Sequence, residues 1–487
     1  MTFLSPIFMF VFLPISLAIY ALIPKYLKSY SIPLIGVIFF AAINLGSIFS
    51  IVAMPIIVIA IMTAIELYRK MRIRWLLNAC RVICIVAIFA ILSLRFVIGE
   101  RGFFGVGIIM CLMAAVSLCA DVLHGNGRVP DTAWDVVVYI TFFPSVLAGP
   151  FITYGDFVEK LDRIDFGLEN FSSGAIRFII GVLKCVAISE VLGEAYDTIL
   201  ISVGGNMSLI MTLILASIYG VRIYYMFSGC SDMGRGLASM LGIRVEKDFR
   251  SSFKNATPCD YIRHFFSSLL NFCRAYIVKP VTEIFGGMFG KIMAAFFVSL
   301  LYAFLFSRSS EMVYLLIIPL FIAMLFIVIR TGKKRKGVNI FIRALGYIAT
   351  FLTMSFFWWM IYIGAGDDMA VYFNSISNNN AFYISTYTLT LLGDIKYTLL
   401  PGVTAIGVWL ISKMFSKTDK QLDQKQKQSS LDVKDGTAAS SCEEGMTTVC
   451  LKYVAAVFLL LMLVFTVIIL LPQYPSLSVN IFGFPFV

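Results

Sequence analysis

Charge is the scarcest property of this 487-residue chain. Only 14% of its residues are Asp, Glu, Lys or Arg, against about 25% in a soluble domain. With 60% hydrophobic residues, that scarcity excludes an ordinary water-soluble enzyme and makes the chain an integral membrane protein. Histidine is scarcer still, with two in the whole chain, His124 and His264, so imidazole chemistry is confined to two positions. The ten cysteines form no C-x-x-C and no Cys/His metal spacing. No metal centre is expected, and the cysteines read as small core- or lipid-facing residues. No internal repeat is visible, which argues against an inverted-repeat transporter. The first 23 residues lack both a basic leading region and a small-residue cleavage site, so they read as a retained first helix.

What the chain does have is apolar runs of spanning length. A membrane helix needs roughly 20 apolar residues to cross about 30 Å of hydrocarbon. Such runs fall near 3–23, 31–65, 76–98, 103–123, 134–153, 171–192, 207–228, 261–280, 288–306, 312–330, 340–364, 397–415 and 452–471. The 31–65 run is too long for one crossing and is expected to be a hairpin. The 134–153 run holds Pro144, Gly149 and Pro150, which interrupt helical hydrogen bonding and leave a kink or a re-entrant loop. The expected fold is all-α, a polytopic bundle of about 11 to 13 membrane helices including short or re-entrant ones, in a single domain over 1–487.

The net charge of +11 would suggest a nucleic-acid partner in a soluble chain. Here its carriers sit in short loops, where Lys and Arg set orientation and meet lipid head groups. No nucleic acid is expected, and membrane lipids are. The basic stretches Lys25/Lys28, Arg69–Arg74, Arg244–Lys254, Lys333–Lys336 and Lys413–Lys434 are all predicted cytoplasmic, with both termini outside. Segment 416–448 is polar and without aromatics, and reads as a disordered cytoplasmic loop.

Three segments carry polar chemistry. In 259–281, Asp260, Arg263, His264, Ser267, Asn271 and Arg274 recur at spacings of three and four, the spacing of one helical face. Such a face lines a wet tunnel or lies along the inner leaflet, since unpaired charge in lipid is costly. In the run from Tyr224 to Met233, Tyr225, Ser228 and Asp232 form either a polar wall or, through Asp232, a cap for a helix beginning at Met233. The third is the broken Phe142–Pro150 run. Charged residues paired deep within several helices are not evident, so a lipid or polymer transporter ranks last.

Taken together, Phe10-x-Phe12-Leu13-Pro14 with Tyr20 and Pro24-Lys25, FFPSVLAGP, YYMFSGCSDM, the Arg263-to-Pro280 pattern and the ending IFGFPFV resemble the membrane-bound O-acyltransferases. The branch resembled contains the alginate O-acetyltransferase membrane subunit and the D-alanyl transferase of teichoic acids. That resemblance implies a helical ring around a central funnel in the cell (plasma or inner) membrane. It also implies acyl transfer from a cytoplasmic thioester, on coenzyme A or a carrier protein, to a hydroxyl on an extracytoplasmic polysaccharide or envelope acceptor, with no bound cofactor. A secreted or periplasmic acceptor protein, or an acyl carrier protein, would be the partner.

The departure from the family is as specific as the match. Anchoring on Arg263, Arg274 and Pro280 puts the family's first tunnel histidine at Phe266, and the second falls in a histidine-free stretch ending near Phe306. His264 precedes Phe266 by two residues, about 200° around a continuous helix, and cannot simply replace it. His264 and Asp232 remain as candidate bases, His124 as a boundary residue, and Asp260, Arg263, Ser267, Asn271, Arg274, Tyr225 and Ser228 as tunnel-lining candidates. The alternative is a catalytically inactive homologue, a scaffold or acyl-lipid-binding partner that kept the funnel and lost the base.

Overall fold

In the computed structural model the described residues are chiefly 4–43, 113–121, 133–145, 154–203, 207–245, 257–306, 310–329, 340–363 and 386–410, with gaps of a few residues inside some ranges. The second half of the 31–65 run, most of 76–98 and 103–123, His124, the 146–150 end of the FFPSVLAGP run, Phe266, the basic stretches at 69–74 and 333–336, and 416–471 lie outside them.

Among the described residues the architecture is helical, with one two-residue antiparallel pairing, Asn480–Ile481 (β1) with Phe484–Pro485 (β2), near the C-terminus. The helices that matter below are α1 (Leu13–Leu22), α2 (Lys28–Ile43), α3 (Ala133–Ile140), α4 (Tyr154–Leu161), α5 (Leu168–Leu183), α6 (Val191–Val203) and α7 (Leu209–Met240). They continue as α8 (Pro258–His264), α9 (Ser267–Cys273), α10 (Lys279–Phe285), α11 (Gly287–Phe306), α12 (Ser310–Ile329), α13 (Ile340–Ile363) and α14 (Thr386–Leu392).

Among the described residues, Leu209–Met240, Gly287–Phe306 and Arg343–Ile363 are long and apolar enough to cross a membrane. Shorter apolar helices cover Phe8–Leu22, Tyr30–Phe39, Leu316–Val328 and Leu400–Leu410. Their outward faces are apolar at helical spacing: Ile318, Ile322 and Phe326 on α12, and Phe341, Leu345 and Ile348 on α13, are all exposed. Water would not tolerate such stripes, and lipid does. The chain is a helical membrane protein.

Its central unit is an antiparallel hairpin. α5, a π-helical segment Lys184–Glu190 and α6 run end to end, and α7 returns along them after Ser208, whose hydroxyl caps α7 by accepting from the Met211 amide at 3.1 Å. The two rods touch through glycine. A Cβ added at Gly181 would lie 2.6 Å from the Gly229 carbonyl oxygen, and one at Gly174 would lie 2.7 Å from that of Gly236. Both pairs are seven residues apart in their helices, so the same face meets twice, the close backbone approach that small residues provide between membrane helices. At one end, Arg244 donates through Nε to Asn170 Oδ1 at 3.1 Å, and Tyr20 donates to the Leu241 carbonyl at 2.8 Å. The start of α5 and the exit of α7 therefore lie side by side.

Two expectations about helix limits are corrected. Asp232 caps no new helix, because α7 runs through it without a break to Met240. Gly229 and Gly236 on either side of it are packed against α5, and Asp232 is satisfied by side chains rather than by backbone amides. The 261–280 run is not one helix either. α8 begins at Pro258, capped by Thr257, and ends where Phe265 turns extended (φ −87°, ψ 107°). The chain then resumes as α9, passes through a π-helical segment Arg274–Val278 and continues as α10. Two of the three π-helical segments among the described residues, Phe8–Phe12 and Arg274–Val278, lie just ahead of Pro14 and Pro280. A proline cannot donate to the preceding turn, and a wider turn absorbs the orphaned carbonyl. Lys184–Glu190 has no such proline, and it lies at the Gly181–Gly229 crossing.

Candidate functional site

The strongest polar constellation sits on the hairpin. Lys184, the first residue of the π-helical segment, reaches α7 and donates from Nζ to Ser228 Oγ at 2.9 Å and to the Asp232 carboxylate. Arg235 approaches the other Asp232 oxygen at 3.6 Å and donates through Nε to the Val245 carbonyl at 3.2 Å. Lys184 and Asp232 have only 13% and 16% of their side chains exposed, so the pair is an intramembrane charge pair. This corrects the reading that deep charge pairs are absent. Sequence reasoning passed over Lys184; the available signal was a lysine near the middle of an apolar run, which by itself marks a functional position. The partners are 48 residues apart, and nothing local links them. Beside them the Cys185 thiol lies against Gly229 and donates to the Met226 carbonyl at 3.6 Å. Tyr225, half-buried, packs on Tyr224 with ring centroids 5.5 Å apart.

The break at Phe265 divides the expected polar stripe. On α8, Asp260 accepts from Thr257 Oγ1 at 2.8 Å and from Arg263 Nη1 at 3.3 Å, while Arg263 Nη2 donates to the Ile327 carbonyl of α12 at 3.4 Å. On the far side of the break, Arg274 donates to Asn271 at 3.4 Å, and both are exposed. Ser267 is half-buried at the start of α9. The 200° argument against His264 does not apply, because the chain leaves the helix between His264 and position 266. His264 Nδ1 lies 2.6 Å from the Asp260 carbonyl oxygen. A carbonyl only accepts, so Nδ1 carries the hydrogen, and the lone pair of the neutral ring is at Nε2.

Aromatic rings fill the space between α7, α8, α11 and α13. Phe265 packs on Phe227, Phe249, Tyr261 and Trp358 at centroid distances of 5.7, 5.2, 5.4 and 5.1 Å. Phe306, in the stretch where the resemblance implies a histidine, packs on Phe227 at 6.0 Å and Trp358 at 5.1 Å. All four of Phe227, Phe265, Phe306 and Trp358 are buried. Away from these groups, an apolar groove of about 480 Å³ runs between α1 and α5, lined by Met9, Leu13, Leu17, Phe171, Phe178 and Met240. It offers no polar group for chemistry and suits a lipid chain. Among the described residues no three His, Cys, Asp or Glu side chains gather as metal ligands would.

No family model matches the chain. Individual proteins do. A probable alginate O-acetylase of Pseudomonas fluorescens is 26% identical over 280 residues, 57% of this chain and 56% of that protein. One from Pseudomonas aeruginosa is 24% identical over 303 residues, again 57% and 56%. A peptidoglycan O-acetyltransferase of Helicobacter pylori is 25% identical over 151 residues, 30% of this chain and 28% of that protein. The matches with the alginate O-acetylases cover little more than half of those relatives' own length. The chain is thus a helical membrane protein similar to the alginate O-acetylases and, through them, to the membrane-bound O-acyltransferases.

Proposed function

We propose that this protein is a membrane O-acyltransferase that moves an acetyl-type group from a cytoplasmic thioester, on coenzyme A or a carrier protein, to a hydroxyl of an extracytoplasmic polysaccharide or envelope acceptor. In this reading it lies in the plasma or inner membrane with both termini outside, forms a helical ring around a funnel, and works with a secreted acceptor protein or an acyl carrier. The observation that carries the reading is His264. Its Nδ1–H is tied to the Asp260 carbonyl, which fixes the ring and leaves Nε2 as the proton acceptor, the arrangement a general base needs. Asp232 is the weaker candidate, since each of its oxygens already faces a cation. Its part is to hold Lys184 and Ser228 in place.

The test is transfer from radiolabelled acetyl thioester in membranes. His264→Ala is expected to lower the rate by about 10²-fold or more, while Asp232→Asn acts mainly through protein stability. Wild-type transfer unaffected by His264→Ala would remove His264 from the mechanism. A second reading, a non-catalytic homologue that serves as scaffold or acyl-lipid-binding partner, is favoured by the buried rings of Phe227, Phe265, Phe306 and Trp358, which occupy space a tunnel would need. Absence of transfer in the wild type decides for it.

A further inference from the structure

Past the Gly181–Gly229 crossing, on the side away from Arg244, lies a second polar cluster, unused by the chemistry above. Glu190, Gly193, Glu194 and Asp197 follow one another at i, i+3, i+4 and i+7, which puts three carboxylates and a glycine on one helical face. The residue of α7 that meets this face is Arg222. Its guanidinium lies flat on the backbone, for a Cβ at Gly193 would sit 2.6 Å from Arg222 Cζ. Cζ is 6.0 Å from the centroid of the Tyr219 ring. Glu190 and Asp197 both lie within electrostatic reach of Arg222. Even so, its Nε is buried with no hydrogen-bond partner, and no carboxylate among the described residues closes to ion-pair distance with it.

Aromatic rings complete the surroundings. Tyr219 stacks with Tyr362 at 4.6 Å and with Tyr196 at 5.5 Å, and Trp359 Nε1 donates to Tyr196 Oη at 3.1 Å. Tyr397 donates to Glu194 Oε1 at 3.1 Å. Tyr196 and Tyr219 are fully buried and form a floor. Arg222, Glu194, Tyr362 and Tyr397 are half-buried around it, and Asp197 is exposed. One arginine and three carboxylates do not face lipid, so this face opens to water or to a protein-lined space.

From this cluster we infer that the face formed by Glu190, Glu194, Asp197, Arg222 and the tyrosines is a binding site for a neutral, hydroxyl-rich sugar unit. An anion is disfavoured by three carboxylates, and a cation by the guanidinium at their centre. Vicinal hydroxyls suit both at once: they donate to carboxylates and accept from the guanidinium, while the half-buried Tyr362 and Tyr397 rings take the apolar face of the ring. A purely structural ion cluster would bring opposite charges into direct hydrogen-bonded contact, because buried charges are stabilising only with such geometry. Arg222 instead forms no ion pair among the described residues, and part of its side chain stays exposed. The inference rests on the proposed acceptor chemistry, since it gives the acceptor glycan a place on this chain.

The experiment is calorimetric titration of the full-length protein in nanodiscs with a neutral glucan oligosaccharide, a uronate oligosaccharide and tetramethylammonium. The neutral oligosaccharide is expected to bind most tightly. Arg222→Met is expected to weaken it at least tenfold, the loss that accompanies removal of a charged hydrogen-bond donor. Gly193→Ala, which leaves every charge in place but displaces the guanidinium, should do the same, and thermal midpoints identify any variant that has unfolded. Tighter binding of the uronate or the cation, no binding of any probe, or sugar binding indifferent to both folded variants would each overturn the inference. Acetyl transfer is measured on the same samples. Sugar binding without transfer in the wild type would sink the acyltransferase reading and leave this one standing.

Discussion

Lys184 and Asp232 illustrate how a single side chain becomes costly to remove once its partner is held in place. With both groups mostly shielded from water, loss of Lys184 leaves Asp232 with Arg235 as its remaining cation at ion-pair distance, whereas replacing both removes the stranded carboxylate but takes that partner from Arg235. Lys184→Met is therefore expected to destabilise the protein by about 3 kcal/mol, read as a fall in the thermal midpoint in nanodiscs. The double variant Lys184→Met/Asp232→Leu should recover part of that loss, limited because Arg235 then lacks the Asp232 carboxylate. A double variant no more stable than the single one would mean that the stranded Asp232 carboxylate is not the source of the cost. At the same scale, Phe265→Ala removes four ring contacts at the point where α8 ends. The expected cost is about 3–5 kcal/mol, and unfolding measured by tryptophan fluorescence would register it.

At the level of elements, the hairpin depends on backbone approach at Gly181–Gly229 and Gly174–Gly236. Gly181→Ala would put a methyl carbon 2.6 Å from a backbone carbonyl that cannot rotate away, so the helices must separate. The expected penalty is about 1–3 kcal/mol, with Lys184 drawn back from Ser228 as the rods part. Thermal midpoints compared with Gly155→Ala, where the added carbon meets nothing within 4 Å, isolate the effect. Where these long apolar helices lie was readable because apolar length is a one-dimensional property: expected runs at 288–306, 312–330 and 340–364 match helices at Gly287–Phe306, Ser310–Ile329 and Ile340–Ile363. The break at Phe265 was not readable. No Gly or Pro marks it, and polar residues at spacings of three and four continue across it as though the helix did. Asp232 looked like a cap for the complementary reason, since local sequence offers a capping role and only Lys184, far away in the chain, offers another.

For the molecule as a whole, pairing of Asn170 with Arg244 sets the start of α5 and the exit of α7 at one end, and the α6–α7 connection at the other. If basic loops face the cytoplasm, Ser202, exposed near the end of α6, lies outside and Ser172, exposed on the first turns of α5, lies inside. Single-cysteine labelling in a background with the ten native cysteines replaced checks this. An impermeant maleimide should modify Ser202→Cys in intact cells and should reach Ser172→Cys only after permeabilisation. The reverse pattern would invert the assigned topology. It would also put the Arg222 face on the cytoplasmic side, away from any extracytoplasmic glycan.

The wide turn at Lys184–Glu190 also acts as a phase shifter. A π-turn carries one residue more than an α-turn, and each residue of a helix is worth about 100° of rotation. Everything beyond it on the same rod, including Glu194 and Asp197, is rotated relative to Gly174 and Gly181 by about that angle. Deleting one residue from 184–190 would return the rod to a plain α-helix and swing the carboxylates roughly a quarter turn away from Arg222, while leaving the glycine crossing in register. One extra residue thus lets a single straight rod present its glycines at one level and its carboxylates at another to the same neighbour.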